Sequence, residues 1–111
     1  MLVARKLGRL VAQPCPESAM HPWHPSVDRL VESAMAHVPA QQIIGVQLTG
    51  MGNDGAQAMA ALHRAGGRTI AESQETAVVF GMPQELIQRG GASLVLPAHS
   101  VAQQLCSWMH C

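Results

Sequence analysis

The run Ile43-Ile44-Gly45-Val46-Gln47-Leu48, followed at once by Thr49-Gly50-Met51-Gly52-Asn53-Asp54-Gly55-Ala56, constrains this chain more than any other feature. Its first part is β-branched, almost continuously apolar and too short for a helix. That is the pattern of a strand covered on both faces, so it reads as the central strand of a parallel sheet. Glycines at 50, 52 and 55 then break the strand, and Ala56, Met59, Ala60, Leu62 and His63 resume at helical spacing until Gly66-Gly67. A second short strand at 68–71 closes a right-handed βαβ unit. Ligands of open α/β sheets bind at the carboxyl ends of the strands, and residues 49–55 occupy that place.

The flanking segments extend the same pattern. Residues 9–12 form a short strand after Gly8, and Pro14, Pro16, Pro22 and Pro25 forbid regular structure in the stretch that follows. Ser26 is an N-cap candidate for a first helix reaching about His37, with Val27, Leu30, Val31 and Ala34 on one face. Residues 76–80 are ambiguous between strand and helical turn. Pro83 fits the first position of a helix running to Arg89, residues 93–96 read as a third strand, and residues 98–108 make a closing helix with Val101, Leu105 and Trp108 on one side. The expected class is α/β, a three-layer αβα arrangement around a doubly wound, mostly parallel sheet. At 111 residues the chain is small for such a sheet, so one domain at most is expected: a strand and Pro-rich loop over 1–25 and an α/β core over 26–111.

Composition removes several functions. Seven basic residues balance seven acidic ones without a basic stripe or aromatic platform, so no nucleic-acid partner is expected. Cys15, Cys106 and Cys111 form no C-x-x-C pair, which fits a reducing cytosol better than a disulfide framework or zinc ribbon. Arg5 and Lys6 interrupt the apolar start before a secretory core can form, and no stretch approaches the roughly 18 apolar residues of a membrane span. A cytoplasmic protein without membrane insertion is expected.

Asp54 has two readings on its residues alone: an ordinary cap of the helix that follows it, or a carboxylate aimed into the cleft to orient a histidine, as in a Ser-His-Asp triad. His21 and His24 form an H-x-x-H pair in a proline-broken loop with no third ligand nearby, so no metal is assigned. His37, His63, His99 and His110 read as solvated helix residues, and Cys106 as a small buried hydrophobe. Ser18, Ser26, Ser73, Ser93, Ser100 and Ser107 lack the G-x-S-x-G elbow. A phosphate cradle at the glycine turn lacks both the Walker lysine and the G-x-G-x-x-G spacing.

Three ordered segments carry a family resemblance. Leu48-Thr49-Gly50-Met51-Gly52-Asn53-Asp54-Gly55-Ala56 resembles the L-T-G-M-G-x-D-G-A segment of CheB-type protein-glutamate methylesterases. His24-Pro25-Ser26-Val27-Asp28 resembles that family's R-P-S-V-D segment, and Val78-Val79-Phe80-Gly81-Met82-Pro83 its V-V-[FY]-G-M-P segment. The resemblance implies that Asp54 is the triad aspartate and that the Met51 N–H lies near the oxyanion hole, with His24, Gly50 and Gly52 at the substrate-binding surface. It implies hydrolysis of glutamate γ-methyl esters, and deamidation of glutamines, on the cytoplasmic helices of methylated chemoreceptors, with no metal or organic cofactor.

The chain departs from the family in what it lacks. Neither the A-S-T-G-G-type loop with the serine nor the Q-H-M-P-type segment with the histidine occurs in it, nor does a receiver domain. It therefore reads as the C-terminal portion of a catalytic domain, inactive alone. The alternative is a non-catalytic binding or assembly fragment. Exposed sheet edges then suggest a complementary N-terminal segment, or a second copy, as partner.

Overall fold

The computed structural model describes residues 1–16 and 23–110. Strands β1 (Leu2–Lys6) and β2 (Arg9–Gln13) form an antiparallel hairpin with Leu2 opposite Gln13 and Lys6 opposite Arg9. Sequence reading finds only the second of these strands. The two-residue connection explains why, because Leu7 and Gly8 both take positive φ, 51° and 77°, a type I′ geometry usually marked by Asn-Gly.

Helix α1 (Val27–His37) starts where expected, with Ser26 Oγ accepting a hydrogen bond from the Arg29 N–H at 3.3 Å. It ends before Pro39, and a 3-10 turn (Ala40–Gln42) leads into β3 (Ile44–Gln47). Then follow α2 (Ala56–Arg64), β4 (Arg68–Glu72), α3 (Gly81–Gln88), β5 (Leu94–Leu96) and α4 (Ala98–Met109). The sheet order is β3-β4-β5, all parallel, with Ile44 beside Arg68 and Ile70 beside Leu94. The strand expected at the centre therefore stands at the edge. Among the described residues β3 pairs only with β4, and Ile44, Gly45 and Val46 are half-buried. Central β4 has residues 69–72 fully buried.

Side chains of a strand alternate between faces, and this places the layers. Thr69 and Ala71 face α2 and α3: Ala71 joins Met59, Ala60 and Leu62 of α2 and Leu86 of α3 in the core cluster. Gly45 lies on that same face, where an added Cβ would stand 2.5 Å from Met59 Sδ. Arg68 and Ile70 point the other way, and the Arg68 guanidinium stacks 5.6 Å from the Trp108 ring of α4 while donating to its carbonyl. The described elements thus form an αβα sandwich. Each fully buried core leucine contributes on the order of 2 kcal/mol through removal from water.

Pro83 is the third residue of α3, not the first, because the helix begins at Gly81. Residues 76–80 are neither strand nor helix: a turn at 74–76, closed by the Thr76 and Ala77 N–H groups donating to the Ser73 carbonyl, leads into a bend at 78–79. Cys106 is exposed, since it sits on the outer side of α4. Among the described residues no helix is long and apolar enough to cross a membrane.

Candidate active site

The three motifs, far apart in sequence, meet at the carboxyl end of the sheet. The segments around Gly50 and Val79 are joined backbone to backbone: Gly50 N–H donates to the Val79 carbonyl and Met82 N–H to the Gly50 carbonyl, each at 2.8 Å. Thr49 adds a side-chain clasp, its hydroxyl donating to the Val79 carbonyl and accepting the Val79 N–H. This close approach explains the glycines. A Cβ on Gly81 would stand 3.1 Å from the Gly50 carbonyl oxygen, and one on Gly50 would run into Met82 Sδ. Gly52 and Gly55 are needed for a different reason, because their φ angles are +100° and +92°.

Asp54 is 6% exposed and hydrogen-bonded away from its own helix. The residue preceding α2, Gly55, has no side chain to cap it, and Asp54 does not do so. The Asp54 carboxylate instead receives donors from the start of α1: Val27 N–H to Oδ2 at 2.6 Å, Asp28 N–H to Oδ1 at 3.1 Å and Ser26 Oγ–H to Oδ1 at 3.2 Å. An anion at a helix N-terminus is favoured by the exposed N–H groups and the aligned peptide dipoles. Asp28 returns the contact, accepting the Ala58 N–H of α2 at 2.9 Å. A carboxylate offers about four acceptor positions, and among the described residues these three donors leave one open on Oδ2.

Met51 lies at the tip of the turn, 77% exposed. Among the described residues its N–H has no hydrogen-bond partner. Trp23 lies over the turn, its ring 3.0 Å from where a Gly52 Cβ would be. His24 is exposed beside it. His21 falls outside the described residues, and among the described residues no group of His, Cys, Asp and Glu could hold a metal.

Sequence reading missed Glu72. Its side chain is buried at the end of β4, accepting the Thr49 N–H at 2.8 Å and the Thr76 hydroxyl at 2.8 Å. Thr76 Oγ in turn accepts the Ala98 N–H at the start of α4. One carboxylate thus ties the exits of β3 and β4 to the start of α4, and nothing in the local sequence marks it. His63 is likewise more than a solvated helix residue: its Nδ1 lies 2.9 Å from Ser93 Oγ. That pair sits at the amino ends of β4 and β5, where Ser93 Oγ also accepts the Thr69 N–H, so it belongs to the opposite end of the sheet from Asp54.

The chain resembles known proteins over nearly its whole length. The family model described as CheB methylesterase matches residues 1–105. A protein-glutamate methylesterase/protein-glutamine glutaminase of Rhodospirillum rubrum is 54% identical over 109 residues, covering 98% of this chain and 30% of that protein. Another, from Rhodopseudomonas palustris, is 49% identical over 108 residues, covering 97% of this chain and 30% of the relative. The crystal structure of the Thermotoga maritima CheB methylesterase catalytic domain superposes with a TM-score of 0.82 at 31% identity, covering 96% of this chain and 56% of that one. The chain thus spans about 30% of the length of these curated relatives.

Proposed function

The chain belongs to the CheB methylesterase family, and from that premise we propose that it supplies the aspartate of a Ser-His-Asp ester hydrolase whose serine and histidine lie outside residues 1–111. The observation that carries this reading is the unfilled acceptor position on Asp54 Oδ2, in a carboxylate otherwise locked by three donors at the mouth of the parallel sheet. A histidine Nδ1–H placed there would be held in the tautomer that leaves Nε2 free to take the serine proton, and its imidazolium would be stabilised by the buried negative charge.

The substrate in this reading is a glutamate γ-methyl ester on a cytoplasmic chemoreceptor helix, with glutamine deamidation as the related reaction. The serine oxygen attacks the γ-carbonyl carbon while the histidine takes its proton. The carbonyl oxygen becomes an oxyanion near the Met51 N–H, which is free for it among the described residues. Collapse breaks the bond to the methoxy oxygen, methanol leaves with the proton from histidine, and water then hydrolyses the acyl-enzyme. His24, Gly50 and Gly52 lie around the turn as the substrate-facing surface.

Residues 1–111 alone should then release no methanol above background from a methyl-esterified receptor, because losing nucleophile and base removes nearly all triad catalysis. Turnover by this chain that disappears in Asp54→Asn would refute the division of the triad.

A further inference from the structure

The triad reading gives Trp23 no task, yet its ring lies on the turn that carries the Met51 N–H. Ring atoms Cζ2, Cη2 and Cε2 stand 3.0, 3.5 and 3.8 Å from the position of a Gly52 Cβ, so the six-membered ring of the indole packs against Gly52. On the other side of Met51, Gly50 is bonded to Val79 through its N–H. Met51 is thereby bracketed, with Trp23 at Gly52 and residues 78–79 at Gly50. All four apolar side chains are exposed: Met51 at 77%, Val78 at 88%, and Trp23 and Val79 at 43%. The collar they form is also rigid, because the Gly50–Val79 and Met82–Gly50 backbone bonds and the Thr49 clasp tie residues 49–50 to residues 79–82.

Exposed apolar groups gathered around one backbone donor mark a place where a ligand binds, and the charges nearby say of which kind. Residues 48–56 and 76–83 contain no Lys, Arg or His, and their single charged group is Asp54. Glu72 adds a second buried carboxylate beside Thr49, whose N–H it accepts at 2.8 Å. His24 follows Trp23 but is exposed to solvent, where its charge is screened. A carboxylate entering the collar would lose its water against apolar walls and meet two like charges, with no cation on either segment to pair it. A methyl ester meets neither cost.

We propose that Trp23 is a specificity-determining residue of this site: its ring and the Met51 side chain receive the methoxy group of a glutamate γ-methyl ester and disfavour the carboxylate that hydrolysis leaves. This rests on the triad reading above and adds a discrimination that the triad itself does not make. With the carbonyl oxygen turned to the Met51 N–H, the methoxy group on the same carbon falls within reach of the Met51 and Trp23 side chains. A methyl group against an indole ring and a thioether is favoured in the ground state and the transition state alike, so the effect is on binding. Hydrolysis exchanges the methoxy group for an ionised oxygen, and the collar that held the ester releases the acid.

The test uses Trp108→Phe, which leaves Trp23 as the sole tryptophan, and follows its fluorescence in the full chain. The titrant is a helical peptide carrying one glutamate γ-methyl ester or, in its place, glutamate. The ester peptide should shift the emission to shorter wavelength and half-saturate at a concentration at least about tenfold lower than the glutamate peptide. In the chain joined behind the upstream catalytic-domain segment of the Rhodospirillum rubrum relative, Trp23→Ala should raise KM at least about tenfold with kcat within about twofold, and Trp23→Phe should restore most of the loss. Trp23→Arg supplies the missing cation and should strengthen inhibition by the glutamate product at least about tenfold, which a role in packing alone would not do. Equal affinity for the two peptides, or an emission unmoved by the ester, would overturn the proposal, as would a Trp23→Ala variant that loses kcat and keeps KM. If Trp23→Ala does not fold, the fluorescence comparison decides. An ester-selective shift without Asp54-dependent methanol release would refute the triad reading and leave the collar standing; Asp54-dependent release without preference for the ester would do the reverse.

Discussion

Asp28 and Asp54 exchange helix starts: Asp54, two residues before α2, accepts the Val27 and Asp28 N–H groups of α1, and Asp28, in the first turn of α1, accepts the Ala58 N–H of α2 at 2.9 Å. Each carboxylate serves the helix to which the other belongs. The starts of the two helices and the glycine turn before α2 are thereby fixed as one unit, which holds the Asp54 carboxylate in place.

Removing Asp54 should therefore cost stability as well as chemistry. Asp54→Ala leaves the Val27 and Asp28 N–H groups and the Ser26 hydroxyl without their acceptor, at a cost of about 2–3 kcal/mol. Asp54→Asn keeps an acceptor oxygen and should cost about 1 kcal/mol. Asp28→Ala gives up one N–H acceptor and should also cost about 1 kcal/mol. Urea unfolding of the variants checks the order.

Gly50 and Met82 should be coupled. Gly50→Ala pushes a methyl group into Met82 Sδ, and overpacking of this kind costs about 1–3 kcal/mol. Shortening Met82 to Ala should recover a large share of that loss, giving a coupling of about 1 kcal/mol in a double-mutant cycle. Gly52→Ala has no such rescue, because its φ of +100° is strained for any side chain.

Glu72 should tolerate amidation better than truncation. In Glu72→Gln the carbonyl oxygen can still accept the Thr49 N–H, and Thr76 Oγ has a lone pair for the new amide. Glu72→Ala strands a part-buried Thr49 N–H and should cost about 1–3 kcal/mol, read as a lower urea midpoint.

Much of this was legible in the sequence because it is local. The α1 cap at Ser26, the βαβ order and the glycine turn follow from spacing and residue type. What escaped depends on distant groups. The donors to Asp54 come from residues 26–28, so local capping rules assign its carboxylate to the wrong helix. Strand β1 was hidden by Leu7, a residue rarely found at positive φ. The edge position of β3 could not be read at all, since an apolar strand pattern reports burial on its faces and not which strands flank it.

The central claim is that Asp54 orients a histidine supplied from outside this chain. It is tested most directly by methanol release from a γ-methyl-esterified receptor, using residues 1–111 joined behind the upstream catalytic-domain segment of the Rhodospirillum rubrum relative. The joined protein should turn over, and Asp54→Asn should lower kcat by about 10⁴-fold with the fold intact. Asp54→Asn turning over as fast as the unaltered joined protein would contradict the account.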